Sequence, residues 1–273
     1  MSTQTETTVK AADNPDLINS MVAQALANEK AEVKPVTIMP PSDTVVTLPG
    51  GYVTFAGEVV KEVEVRELNG KDEEAITRST SVGKALLSIL NRGVVRIGEE
   101  KATETMLDSL LAGDRDYLMI AIYKATFGNE AVLQGICGEC SEIKDVKINL
   151  DSDIKVRPMA NSSERKFVVD CKIGPVEINL PTGHTQKDLV NNADKTVAEL
   201  TTILLENCVD TIDGVDVLGK AQVQNLGISD RQAIAAEINK RNFGPLFNDV
   251  TVACPDCESE VTVPVNLGTL FRF

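Results

Sequence analysis

The chain has 273 residues, enough for two domains of ordinary size that each bury a hydrophobic core. Its net charge is −14 and its pI is near 4.6, so repulsion from phosphate groups argues against nucleic acid and anionic membrane surfaces as partners. No apolar run approaches the roughly 18 residues of a membrane-spanning helix. The N-terminus has no basic start followed by an apolar stretch, so we expect a protein made and used in a cytoplasm, with no secretory signal.

Residues 1–43 are polar, include Pro35, Pro40 and Pro41, and are typical of a tail or linker. Within them, the segment NPDLINSMVAQALANEKAE has helical periodicity. The apolar residues that share one face of this helix are Leu17, Ile18, Met21, Val22, Ala25 and Leu26. Such a stripe docks either on its own domain or on a partner protein, and the sequence leaves both open. We therefore predict a flexible N-terminal extension over residues 1–43 with a short amphipathic helix.

The first ordered elements are expected to be a strand and a long helix. In the segment EVVKEVEVREL, Val63 and Val65 alternate with charged residues, which is the pattern of a half-buried strand. Asn69 is a good helix N-cap and is followed by acidic residues that suit the first helical turn. The sequence therefore predicts one helix that begins after Asn69 and ends at Gly93.

A fifteen-residue segment occurs twice in the chain. DRDYLMIAIYKATFG starts at Asp114 and DRQAIAAEINKRNFG starts at Asp230, and the two share Asp, Arg, Ile, Lys, Phe and Gly at matching positions. Apolar residues at helical spacing predict a helix in each copy. We expect Asp114 and the pair Ser229–Asp230 to be N-caps, and Gly128 and Gly244 to end the helices in the left-handed conformation.

The likeness between the two copies extends beyond these helices. Each is followed by a Cys-x-x-Cys pair and then by a strand that ends in Asn-Leu, KINL at 147–150 and PVNL at 264–267. Repetition of element order over some hundred residues is most simply a tandem duplication. We therefore predict an α+β fold of two duplicated lobes, residues 44–158 and 159–273, related by a pseudo-two-fold axis.

The two Cys-x-x-Cys pairs are Cys137 with Cys140, in CGEC, and Cys254 with Cys257, in CPDC. On a β-turn this spacing lets both thiolates reach one metal ion, and a structural zinc ion takes four such ligands. The pseudo-symmetry would bring the two pairs together. We therefore predict one structural Zn²⁺ per chain, bound by all four cysteines, that joins the lobes in a zinc-ribbon-like site.

Two other interpretations of these pairs remain open, a redox couple and buried thiols without a ligand. A redox pair usually begins a helix that lowers the pKa of one thiol, whereas strand-like sequence surrounds both pairs here. The remaining two cysteines, Cys171 and Cys208, lie in apolar segments without a partner and are predicted to be core residues.

No set of residues predicts catalysis. His184 is the single histidine and follows a predicted turn, without an evident nucleophile. The segment GVDVLGKA at 214–221 imitates a phosphate-binding loop, but Ala221 stands where Mg²⁺ coordination needs Ser or Thr. We therefore predict no catalytic residue, no cofactor-binding residue and no small-molecule substrate, and expect that the protein is not an enzyme.

Arg115 and Arg231 recur in the first turn of the repeated helix, where positive charge is unfavourable. We expect each guanidinium to be held by a carboxylate or by backbone carbonyls inside its lobe. A role in contacting a partner is the alternative.

Several segments resemble a known family. VTLPGGYVTF, VEVRELNGKDEEAI, RGVVRIG, LLAGDRDYLMIAIYKATFG and the Cys-x-x-Cys pair that closes them are similar to the baseplate-hub assembly proteins of contractile-tailed, T-even-type bacteriophages. The resemblance covers roughly residues 45–270 and rests on the order of motifs.

This resemblance implies a non-enzymatic structural or assembly component of a tail baseplate, in its hub region. Its partners would be other baseplate and hub proteins, with no nucleic acid and no membrane. Its location would be the virion and, during assembly, the host cytoplasm. The alternative is a zinc-ribbon adaptor subunit of a cellular protein complex.

Overall fold

The first half of the fold is a four-stranded antiparallel sheet, in the order β1–β2–β3–β4, with helices packed against it. The computed structural model describes residues 44–271, so the predicted N-terminal extension and its amphipathic helix lie outside the described residues. The strands are β1 (Thr44–Val53), β2 (Val59–Val65), β3 (Val94–Ile97) and β4 (Glu100–Lys101). The helices are α1 (Gly70–Thr77), α2 (Val82–Gly93), α3 (Glu104–Ser109) and α4 (Ala112–Phe127).

The second half contains the same kinds of element in the same order. After a 3₁₀ turn at Ser162–Arg165 come a second antiparallel sheet, in the order β8–β9–β10–β11, and four helices. The strands are β8 (Lys166–Cys171), β9 (Gly174–Asn179), β10 (Val209–Ile212) and β11 (Val215–Asp216). The helices are α5 (Gly183–Asn191), α6 (Val197–Cys208), α7 (Lys220–Gln224) and α8 (Ile228–Arg241).

A hairpin follows the last long helix of each half. The first hairpin is β5 (Glu130–Ile136) with β6 (Ile143–Asn149), and the second is β13 (Val250–Ala253) with β14 (Glu260–Val263). Strand β7 (Lys155–Arg157) pairs with β12 (Gly244–Leu246) from the other half, and helix α9 (Leu267–Phe271) closes the described chain. The fold is therefore a mixed α and β structure, as predicted.

Three hydrophobic clusters form the core of residues 44–271. One lies between the first sheet and its helices and includes Val63, Val65 and Leu118, and a second lies under the second sheet around Ile178 and Ile234. The third is shared, because the two hairpins, α4 and α9 all contribute side chains to it. The two halves are thus joined by a common apolar core. The predicted burial of Val63 and Val65 in β2 is confirmed, but the predicted alternation is not, because Glu64 between them is also buried.

The long helix predicted after Asn69 is in fact two helices. Asn69 caps α1 as expected, since its side chain accepts from the amide of Lys71 and its own amide donates to Asp72. The helix then stops at Thr77, and Ser81 caps α2 by accepting from the amide of Lys84. The segment TRSTS between them is rich in Ser and Thr, whose hydroxyls compete for backbone groups and favour caps over helix interiors.

The predicted N-caps Asp114 and Asp230 are wrong by one turn. Leu111 and Gly227 occupy the N-cap positions, so both aspartates are third residues of their helices, and both are buried. Asp114 accepts hydrogen bonds from the amides of Gly50 and Gly51, at 2.7 and 3.0 Å, where an irregularity interrupts the pairing of β1 with β2.

Asp230 accepts from the amide of Lys172 at 3.1 Å, in the turn between β8 and β9. Each aspartate therefore ties its helix to the hairpin that opens the same half.

The predicted left-handed helix ends also differ from the structure. Gly128 follows α4 with φ +88° and ψ −173°, outside the left-handed helical region, and Gly244 lies in β12, beyond the end of α8.

The expectation for the two arginines is confirmed. The Arg115 guanidinium donates to the carbonyl of Leu107 at 2.7 Å and to Asp108 at 3.3 Å. Arg231 donates to the carbonyl of Val223 at 2.9 Å, which is also eight residues earlier in the chain. Each arginine thus satisfies a carbonyl at the end of the short helix that precedes its own helix.

Candidate metal centre

The first Cys-x-x-Cys pair lies on a tight turn between β5 and β6. The amide of Cys137 donates to the carbonyl of Glu142 at 3.0 Å, and the amide of Ser141 donates back to the carbonyl of Cys137 at 2.9 Å. Ser141 has φ +57°, which closes the turn. These bonds hold Cys137 and Cys140 so that both side chains project from one end of the hairpin.

The second pair lies on a turn of the same construction. The amide of Cys254 donates to the carbonyl of Ser259 at 2.7 Å, the amide of Glu258 donates to the carbonyl of Cys254 at 2.9 Å, and Glu258 has φ +60°. Because both turns are built on strand pairs, neither pair begins a helix, which argues against a thioredoxin-like redox site.

The two turns bring all four sulfurs together, within 4.8 Å of one another. Two contacts cross between the pairs, at 3.5 Å from the sulfur of Cys137 to that of Cys257 and 3.9 Å from the sulfur of Cys140 to that of Cys254. A tetrahedral zinc ion with sulfur ligands at about 2.3 Å would place its sulfurs about 3.8 Å apart. The donor set and spacing therefore fit a tetrahedral metal ion that takes thiolates, which is the chemistry of zinc or of a single iron.

The four thiols are unequal in environment. Cys137 and Cys254 are buried, Cys140 is half-buried and Cys257 is exposed. The hydroxyl of Ser259 lies 3.0 Å from the sulfur of Cys137 and 2.9 Å from that of Cys257, and it lowers the pKa of Cys137 to about 6.

Cys140 shifts in the opposite direction. The amide of Glu142 favours its thiolate, but the Cys137 thiol, burial and the two other sulfurs outweigh that bond and raise the pKa of Cys140 to about 11. Four thiolates at this spacing repel one another, so full deprotonation requires a compensating cation. Metal binding here would release protons and would contribute directly to folding stability.

Lys144 links the two hairpins beside the sulfurs. Its ammonium group forms ion pairs with Asp256 on the second turn and Glu142 on the first, and both carboxylates raise its pKa. The sequence did not predict a role for Lys144 or Ser259. The sequence gives one indication of Ser259, which is its position. It follows Cys254 by five residues, just as Glu142 follows Cys137 by five residues.

Comparison with known proteins finds a similarity over the segment that contains the first pair. Residues 44–173 match the family model described as T4 bacteriophage base plate protein. Over this segment the chain is similar to a phage base plate family. No curated protein and no solved structure gives a significant match. The expected resemblance to baseplate proteins of T-even-type phages is confirmed, and no helix among the described residues is long and apolar enough to cross a membrane.

The base plate family match spans just under half of the chain, less than the predicted reach to about residue 270. It contains the first sheet, its helices and the first hairpin with Cys137 and Cys140, and it ends in the turn after β8. The second pair, Cys254 and Cys257, lies outside it. The sulfur cluster therefore combines ligands from the family segment with ligands from the part of the chain beyond it.

The other two cysteines lie outside the cluster, in the core of the second half. Cys208 is buried at the end of α6, and burial raises the pKa of its thiol to about 12. Cys171 is half-buried and packs against the same hydrophobic cluster. Both contribute to packing, as predicted.

His184 and Lys220 line one polar cavity of about 430 Å³, a proximity that the sequence did not predict. His184 is exposed and its ring lies 3.6 Å from Asp188, one turn along the same helix. Glu206 also lines the cavity, but the described lining residues include no Ser, Thr or Cys. The cavity thus offers the histidine no hydroxyl or thiol nucleophile.

Proposed function

We propose that this protein is a structural component of a phage tail baseplate, in its hub region, and acts through contacts with other baseplate proteins. The base plate family match over residues 44–173 carries this proposal. One structural zinc ion, bound by the four clustered cysteines, would fix the geometry of the two halves. The protein would enter the virion tail after assembly in the host cytoplasm.

The arrangement of the sulfurs supports a structural metal. Four protein ligands fill a tetrahedral shell and leave no position for water, which a catalytic zinc requires. The ligands also come from two hairpins more than a hundred residues apart, so the ion would close a long loop of chain. We assign the ion as zinc because four cysteines on two such turns are a common structural zinc site.

We further propose that the two halves, residues 44–158 and 159–273, are products of a tandem duplication related by a pseudo-two-fold axis. Equivalent contacts in the two halves support this proposal. The turn at Cys137 has the same backbone hydrogen bonds as the turn at Cys254, and Arg115 and Arg231 each donate to a carbonyl eight residues earlier in the chain. These contacts recur in addition to the common order of strands and helices.

Purified tails of a phage that carries this gene test the baseplate role. Mass spectrometry of washed tails and of tail-assembly intermediates should detect this chain at a fixed number of copies per baseplate. Deleting residues 1–40, the segment with the predicted apolar stripe, should reduce the yield of complete baseplates. Absence of the chain from tails and from every intermediate would contradict the proposal.

Metal analysis tests the zinc assignment. Protein purified without added zinc should contain about one zinc ion per chain. The Cys257→Ser variant should lose it, and the matched variant Cys171→Ser should keep it. Iron in place of zinc, two ions per chain, or no metal in correctly folded protein would contradict the assignment.

A further inference from the structure

Phe55 stands fully exposed on the turn between β1 and β2, with a relative accessibility of 110%. The turn that carries it is well ordered. The amide of Thr54 donates to the carbonyl of Glu58 at 2.9 Å, the amide of Gly57 donates to the carbonyl of Thr54 at 2.9 Å, and Gly57 has φ +82°. The aromatic ring is therefore presented by a structured turn, which lowers the entropic cost of contacting a partner.

A cavity of about 630 Å³ opens beside this ring. The side chains of its apolar part are Tyr52, Val60, Ile97 and Met106. Its polar part includes Glu58, Glu99 and Glu100, and no Lys or Arg is among its described lining residues. Glu99 lies 3.9 Å from Arg96, whereas Glu58 and Glu100 form no ion pair with any described residue. The Phe55 surface, defined as the Phe55 turn and this cavity, is thus apolar inside and acidic at its edge.

We propose that the Phe55 surface is a docking site for a basic segment of another baseplate protein. An apolar side chain of that segment would enter the cavity, its Lys or Arg residues would pair with Glu58 and Glu100, and the ring of Phe55 would pack against its apolar residues. This inference rests on the proposed baseplate function and adds to it the surface used and the chemistry of the partner.

The negative charge of the chain favours a basic protein segment over a second copy of the chain, nucleic acid or anionic lipid as the partner at this surface. A second copy of the chain also carries a net charge of −14, so the overall repulsion opposes self-association. Nucleic acid and anionic lipid would be repelled for the same reason. A basic protein segment is attracted, and a buried aromatic ring at the centre of an interface with charges around it is the usual composition of an energetic hot spot.

Binding to baseplate intermediates tests the proposal. Intermediates from a phage that lacks this gene are mixed with the purified full chain, and co-sedimentation gives the dissociation constant at about 50, 150 and 500 mM NaCl. Phe55→Ala should weaken binding roughly thirtyfold, which is typical of a hot-spot aromatic. The double variant Glu58→Gln with Glu100→Gln should weaken it a few-fold at low salt and flatten its salt dependence.

Leu218→Ala is the matched control, because Leu218 is 89% exposed in the second half and lies outside the Phe55 surface. It should bind as the wild type does, and circular dichroism should show all variants folded. Unchanged affinity of Phe55→Ala, or an unchanged salt dependence of the double glutamine variant, would overturn the docking site and leave the baseplate role intact.

Two further outcomes separate the alternatives. Self-association of the wild type that Phe55→Ala abolishes would assign the surface to a homodimer and overturn the basic partner. If the wild type binds no intermediate and is also absent from tails, the result would contradict both the proposed baseplate function and the docking site.

Discussion

Gly113 and Gly244 pack backbone against backbone where the two halves of the fold meet. A β-carbon at Gly113 would lie 2.2 Å from the carbonyl oxygen of Phe243, and one at Gly244 would lie 2.4 Å from the carbonyl oxygen of Gly113. Gly244 also has φ +85°, which disfavours other residues. Nearby, Leu111 and Thr182 form a β-bridge between the halves. The Phe-Gly of the repeated segment thus serves in the second half as a contact with the first.

Gly113→Ala should therefore destabilise the protein. The added methyl group would meet rigid backbone, so the two halves would have to separate slightly, at a cost of roughly 3 kcal/mol in the free energy of unfolding. Urea unfolding followed by circular dichroism measures this. Gly70→Ala is the control, because a β-carbon at that position meets nothing within 4 Å, and it should be neutral or slightly stabilising. Equal midpoints for the two variants would show that the close contact does not limit stability.

Loss of one sulfur ligand should both release the metal and loosen the fold. Cys254 is buried among both hairpins, and Cys254→Ser should lower the melting temperature and the zinc content together, because the binding energy of a structural site is folding energy. Adding a chelator to the wild type should reproduce the effect. Cys171→Ser should keep its zinc and change the melting temperature much less. A melting curve for Cys254→Ser that matches the wild type would contradict a structural role for the cluster.

The sequence was most informative where the chain repeats itself. The spacing of Cys137 and Cys254 within matching segments predicted that the two pairs would meet, and the sulfurs do lie together. The periodicity of Val63 and Val65 likewise predicted burial, since alternation in a strand is a property of local sequence.

Features that depend on how elements approach each other could not be predicted. Aspartate is a preferred N-cap residue, but Asp114 accepts hydrogen bonds from the amides of Gly50 and Gly51, which lie far away in the sequence. These bonds hold Asp114 one turn inside the helix. Lys144 and Ser259 lie beside the sulfur cluster only because the two hairpins pack side by side. Such contacts span more than sixty residues and leave no local pattern.

The two equivalent arginines should differ in their contribution to stability. Arg115 is 3% exposed and its bond to Leu107 is buried, whereas Arg231 is half-buried and its bond to Val223 is only partly buried. Arg115→Met should cost about 2 kcal/mol in the free energy of unfolding, because the buried carbonyl of Leu107 would lose its shorter hydrogen bond and keep only the 3.3 Å bond from the amide of Leu110. Arg231→Met should cost about 1 kcal/mol. A larger loss for Arg231→Met, measured by urea unfolding, would contradict this ranking.

Asp116 should make stability fall as pH rises. It lines an apolar cavity of about 250 Å³ beside Met119 and Leu86, and burial raises its pKa to about 6, although Gln186 donates a hydrogen bond to it at 3.2 Å. The pKa of an unfolded Asp is about 3.9. Because the folded value is higher, this stabilising contribution is fully present below about pH 4 and is lost as pH rises through about 6.

Asp116→Asn removes this titration while keeping the shape of the neutral side chain. The variant and the wild type should have similar free energies of unfolding near pH 4, and the variant should be more stable by about 2 kcal/mol near pH 7.5. Urea unfolding at several pH values measures the difference between the two proteins, so groups that they share cancel. Asp194→Asn, on the surface, is the control for the substitution itself. If the Asp116→Asn difference does not change with pH, the carboxylate is ionised in the folded protein at little cost, and the cavity must then be open to water.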